Sequence, residues 1–161
     1  MKPDPAALAT LSAVIGHDLG QVRKIHLQLQ GLRPALERSQ PEFRDLAAVA
    51  YLLHNLYNAL ENSFDQTSRT FENHVVDTAR WHRELLEKMF LEIPGLRPAL
   101  LPEALRPIMN DLRGFRHLFR HSYDFELDVR RLLDLCQRWF ESAEAVVDAL
   151  DLFRQKLLLD S

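Results

Sequence analysis

The sequence predicts an all-α fold, an antiparallel bundle of about five helices. Apolar residues step by three and four along most of the 161 positions. No segment alternates with the period of two that marks a half-buried strand. The helix breakers gather in short turns and in one proline-rich connector. Together these features describe amphipathic helices folded back on one another.

Taken in order, the first helix is expected from about Pro5 to about Leu36. Its stripe is Leu8, Leu11, Ile15, Leu19, Val22, Ile25, Leu29 and Leu32, and Gly16, Gly20 and Gly31 weaken it and mark a place to bend. Arg38 to Glu42 forms the turn, with Pro41 just inside the next helix. The second helix, about Pro41 to Asn73, repeats Phe43, Leu46, Ala50, Leu53, Tyr57, Leu60, Phe64 and Phe71. A shorter third helix, about Val76 to Phe90, carries Trp81, Leu85 and Met89, and a proline-rich connector follows from Ile93 to Pro102. The fourth helix runs from about Pro102 to His121. The last begins near Asp124, a candidate cap, and carries Val129, Leu132, Cys136, Trp139, Phe140, Ala143, Val146, Leu150, Phe153 and Leu157. Tyr57, Trp81 and Trp139 are expected in the core.

The length suits one helical domain over residues 1–161, with room for a core that needs no staples. A 47% hydrophobic content with only five glycines argues against disorder. Cys136 is the single cysteine, which excludes an internal disulfide and a thiolate-rich zinc site, and its neighbours make it a small core residue. The N-terminus lacks a signal peptide's apolar region and no segment is long and apolar enough for a bilayer, so a cytoplasmic protein with no membrane partner is the expectation. A net charge of −3 speaks against a broad electrostatic grip on nucleic acid, so any such contact must be local.

One segment runs against that acidic background. Arg113 to Tyr123 holds Arg113, Arg116, Arg120, His117, His121 and Tyr123 with no carboxylate among them. Arginine offers a planar fork of donors to phosphate, and histidine exchanges protons near neutrality. The combination suits chemistry on a phosphodiester; it also suits an ordinary solvated helix face. With Arg113 at zero on a helical wheel, Phe115, Leu118, Phe119, Leu112 and Ile108 fall between about 140° and 260°. All five basic side chains fall on the opposite arc, away from the expected core. Arg116 and His121 stand about 140° apart, too far to grip one phosphate from an unbroken helix. Either the helix ends before His121, as the Ser122-Tyr123-Asp124 break suggests, or a second subunit completes the site. His117 and His121 have a chelating spacing, but no His-Glu-x-x-His or Glu-x-x-His motif accompanies them, and no metal or other cofactor is expected. His54, His74 and His82 are expected as surface or boundary residues.

Arg116-His-Leu-Phe-Arg-His121-Ser-Tyr123 fits the pattern Arg-x4-His-x-Tyr, placed between the penultimate and last helices. In this the chain resembles the HEPN superfamily, and with the tyrosine the HepT-like ribonuclease toxins. The second-helix run Tyr51-Leu-Leu-His-Asn-Leu-Tyr-Asn-Ala-Leu-Glu61 and the run from Trp81 are similar to HepT-like members as well. The resemblance covers most of the chain from about residue 43 onward. It implies a HEPN-like four-helix core plus a short extra helix. It further implies a metal-independent endoribonuclease, active as a homodimer and paired with a minimal nucleotidyltransferase antitoxin (MntA-like) in a type VII-like system. On that resemblance Arg116 and His121 are catalytic and Tyr123 is the residue silenced by AMP. His117, in the polar place after the arginine, supports them, with Arg120 and Arg113 as contacts to RNA. Glu61 and Asn55 on the second helix are candidates to orient Arg116. The alternatives are a non-catalytic HEPN partner that holds a nucleotide or substrate for a nucleotidyltransferase, and a purely structural dimerisation protein.

Overall fold

The computed structural model describes residues 2–73, 80–121 and 126–159. Among them the chain forms five α-helices, α1 (Pro5–Leu36), α2 (Phe43–Glu72), α3 (Trp81–Met89), α4 (Arg106–His121) and α5 (Val129–Leu159), with one 3₁₀ turn at Glu103–Leu105. Asp4 caps α1, its carboxylate accepting from the Ala7 N–H at 2.7 Å, and Pro5 follows at the first helical position. α1 then passes unbroken through Gly16, Gly20 and Gly31. α2 starts at Phe43, so Pro41 lies outside it, and ends at Asn73, whose φ of 45° is the left-handed conformation that asparagine tolerates.

α1 packs on α2 and α5, α4 packs on α2 and α5, and the short α3 lies against α2 and α4. The expected stripes form the core: Leu11, Ile15, Leu19, Val22, Leu53, Tyr57, Leu60, Phe64, Trp139, Val146 and Leu150 are buried. Cys136 is buried too, and burial pushes its thiol up to about 12. Trp81 is half-buried against this core. Phe43 departs from its stripe: as the first residue of α2 it is 75% exposed, one turn short of the packed region that begins at Leu46. No described helix is long and apolar enough to cross a membrane.

Three further helix boundaries differ from the sequence reading. Arg80 precedes α3 as a turn residue, and the expected start at Val76 lies outside the described residues. Pro102 precedes the 3₁₀ turn, and α4 proper starts only at Arg106. α5 is capped by Asp128, whose Oδ1 accepts from the N–H groups of Arg130 at 3.0 Å and Arg131 at 3.3 Å. Asp124 also lies outside the described residues, and the non-helical stretch 126–128 separates it from α5.

The connector after α3 is held by one side chain. Pro94 and Gly95 (φ 75°) turn the chain so that the Leu96 N–H reaches the Ile93 carbonyl at 3.0 Å. Arg97, itself buried, donates to Glu72 at 2.9 and 2.5 Å and to the carbonyls of Lys88, Leu91 and Pro98 at 3.1–3.2 Å. Burial pushes the Glu72 carboxyl up, but Arg97 and Lys88 outweigh it and hold it below the ordinary range. Replacing Arg97 with alanine leaves Glu72 with Lys88 and Ser68 alone and strands three carbonyls. Arg97→Ala is therefore expected to cost about 3–5 kcal/mol in urea unfolding. Leu27→Ala, at a position 66% exposed, should stay within about 0.5 kcal/mol of wild type.

Candidate functional site

The basic segment forms the C-terminal half of α4, and its orientation is set by the half before it. Ile108, Met109 and Leu112 are the buried residues of α4. On the wheel Met109 stands at about 320°, inside the arc assigned to the charged face, so the true core direction lies near 260°. Leu118, at about 140°, is 38% exposed as a result. Arg116 moves to the boundary, with a side chain only 11% exposed, and Arg113 is half-buried. His117, Arg120 and His121 remain exposed. The expectation that all five basic residues face away from the core thus fails for Arg113 and Arg116, because Met109 anchors that side of the helix.

What receives Arg116 is a polar strip on α2. Its Nε donates to Asn58 Oδ1, and its Nη2 lies 3.6 Å from Glu61 Oε1. The other Glu61 oxygen meets His82 Nδ1 at 2.9 Å. Asn58 in turn bonds His54 Nε2 at 3.1 Å, and the His54 ring lies 5.0 Å from that of Phe119. His54, Asn58 and Glu61 fall within about 60° of one another on α2. Glu61 therefore stands beside Arg116, whereas Asn55, about 120° from Glu61, does not touch it. Asn58 occupies the place foreseen for Asn55. His54 and His82 lie at the boundary, as expected, and both take part in this cluster; His74 lies outside the described residues.

Buried polar atoms without a hydrogen-bond partner among the described residues gather here: His54 Nδ1, Tyr57 OH, Trp81 Nε1 and Arg113 Nε. Burial raises the Tyr57 phenol, Glu61 adds to that, and Arg113 and Arg116 oppose it. For His54, burial first and then the charges of Arg116 and Arg120 lower its pKa below the usual 6.5. The site thus favours the neutral form of one imidazole behind the arginine.

α4 continues through His121, so the helix does not end before it, and the first of the two routes to a joint Arg116–His121 grip is closed. Instead His117 and His121 share a face, with ring centroids 4.7 Å apart. Tyr123 lies outside the described residues. Among the described residues no three histidine, cysteine, aspartate or glutamate side chains converge on a point that would hold a metal ion. Beside the cluster, α3 and α4 enclose a groove of about 830 Å3 lined in part by Arg80, His82, Arg83, Arg113 and His117.

Because folded His54 refuses a proton that the unfolded chain accepts, its contribution to stability is present above pH 6.5 and lost as pH falls toward the lowered value. Thermal melts should show that decline, and His54→Gln should flatten it. Arg120→Ala, at an exposed position, should raise the His54 pKa followed by imidazole NMR.

No curated protein and no solved structure matches the chain. A family model described as HepT-like protein matches residues 48–157, from the second turn of α2 to the last turns of α5. With more than half of its length and the whole cluster inside that match, the chain belongs to the HepT-like family of the HEPN superfamily.

Proposed function

We propose that this chain is a metal-independent endoribonuclease toxin that acts as a homodimer. The observation that carries the reading is Arg116 held between Asn58 and Glu61, with two exposed histidines beside it on α4, His117 directly after it and His121 one turn further on. In RNA the 2′-hydroxyl is a nucleophile already in place. One histidine takes its proton as the oxygen attacks phosphorus; the 5′-oxygen leaves with a proton from a second histidine. The products are a 2′,3′-cyclic phosphate and a 5′-hydroxyl. Each proton transfer contributes about 10²–10⁴ in rate. Arg116 meets the negative charge that grows on the phosphorane, and being fixed beforehand it needs no reorganisation at that moment.

Support for two copies comes from the helix itself. Arg116 is bound on the α2 side and His121 is about 140° away on the same unbroken α4. One phosphate is reached by both when Arg116 comes from one copy and His121 from the other. The two copies supply two histidine pairs, enough for one base and one acid at each phosphate.

The remaining elements rest on the family resemblance. A nucleotidyltransferase antitoxin attaches AMP to Tyr123, two residues beyond His121, and silences the toxin by placing a bulky anion where an RNA phosphate must enter. A cytoplasmic location fits the absence, among the described residues, of a helix long and apolar enough to cross a membrane.

Purified protein, confirmed by mass to carry no AMP, should cut RNA in EDTA and leave 2′,3′-cyclic ends. His121→Ala should lower the rate by about 10²–10⁴ and Arg116→Ala by about 10²–10³. Nucleotide binding with no cleavage would replace this reading with that of a non-catalytic partner of a nucleotidyltransferase.

A further inference from the structure

The groove between α3 and α4 has a charge balance that the cluster beside it does not require. Its lining includes Arg80, Arg83, Lys88 and Arg113 against Glu84 and Glu87. Two of these are committed elsewhere: Lys88 pairs with Glu72 at 3.2 Å, and Glu87 takes Arg106. What remains is Arg80, Arg83 and Arg113 against Glu84, with no ion pair formed by any of the three arginines among the described residues. In a chain of net charge −3 this is a local concentration of unspent positive charge.

His82 joins the same wall. Glu61 holds its Nδ1 at 2.9 Å, which leaves Nε2 as the ring's other polar atom. Since Glu61 also lies 3.6 Å from Arg116, one carboxylate fixes a groove residue and the site arginine together. His117, at the α4 edge, is shared between the groove and the His117–His121 pair. At about 830 Å3 the groove is larger than a lone phosphate needs. Apart from the histidines its lining has no aromatic ring among the described residues on which a base could stack, so it suits a sugar–phosphate backbone and not the reading of sequence.

We propose that this groove carries the RNA backbone flanking the reacting phosphate, with Arg80 just before α3, Arg83 of α3 and Arg113 of α4 as its phosphate contacts and His82 as a further polar contact positioned by Glu61. The proposal rests on the ribonuclease reading for its ligand, and it adds an extended binding track along α3 that the Arg-x4-His-x-Tyr motif does not contain. Contacts of this kind are tolerant of sequence and sensitive to salt.

The test uses a fluorescein-labelled RNA with every 2′-hydroxyl methylated, so that binding is read by anisotropy without cleavage. Arg80 and Arg83 are both exposed, which makes Arg80→Ala/Arg83→Ala a mild change for the fold. The double variant should bind about tenfold more weakly at 0.1 M salt, by a similar factor for different sequences. Its log K against log salt slope should be shallower by about 1.4, at about 0.7 for each lost contact to a single strand. On cleavable RNA it should raise KM and leave kcat close to wild type. Wild-type affinity and slope in the double variant, with cleavage intact, would overturn the track and leave the ribonuclease standing. Binding that depends on Arg80 and Arg83 in a wild-type protein that cuts no RNA would support the track and remove the ribonuclease.

Discussion

The Glu61 carboxylate, 6% exposed, is the constraint on which the site depends. A buried carboxylate must be met by donors, and here they arrive from two other helices: Arg116 of α4 and His82 of α3. Asn58 takes the Nε of the same arginine. The guanidinium is thereby held in place instead of sweeping the surface as a free arginine does. Preorganisation of this kind is what makes a cation useful to a short-lived negative charge, since no reorientation is paid for during the reaction. The same fixity carries a geometric consequence, because Arg116 cannot follow His121 around the helix.

The fold prepares this arrangement at some distance from it. α3 is only nine residues long, too short to hold its own place. Arg97 secures it from the far end, bonding the Lys88 and Leu91 carbonyls and the Glu72 carboxylate at the end of α2. α3 is thus pinned to α2 at both ends, by Glu72–Arg97 at one and by Glu61–His82 at the other. Between those pins Arg83 lines the groove that α3 forms with α4. Met109 does the corresponding work on α4, turning Arg116 inward while His117 and His121 stay in solvent.

Much of this was legible in the sequence. The three-and-four stepping located the cores of all five helices, since a stripe such as Leu11, Ile15, Leu19 and Val22 has one way to be buried. Helix ends were less legible. Phe43 continues the α2 rhythm but sits before any neighbour covers it, and Asp128 rather than Asp124 caps α5, though both are good capping residues. The motif named Arg116, but its partners were harder to find. Asn58 and Asn55 are equivalent in composition, and only their angle to Glu61 separates them. Including Met109 in the wheel would have shifted the core direction and turned Arg116 toward α2. His82 carried no local signal, because its partner lies 21 positions earlier on another helix.

The central claim is that Arg116 of one copy and His121 of another serve one phosphate. It is tested by co-expressing Arg116→Ala and His121→Ala chains under different tags and purifying the mixed dimer. A shared site leaves one of the two centres of that dimer intact, so the account predicts about half of the wild-type activity per dimer, from two chains that are each inactive alone. A mixed dimer as inactive as its parents would show that both residues must come from the same chain, and would contradict the account.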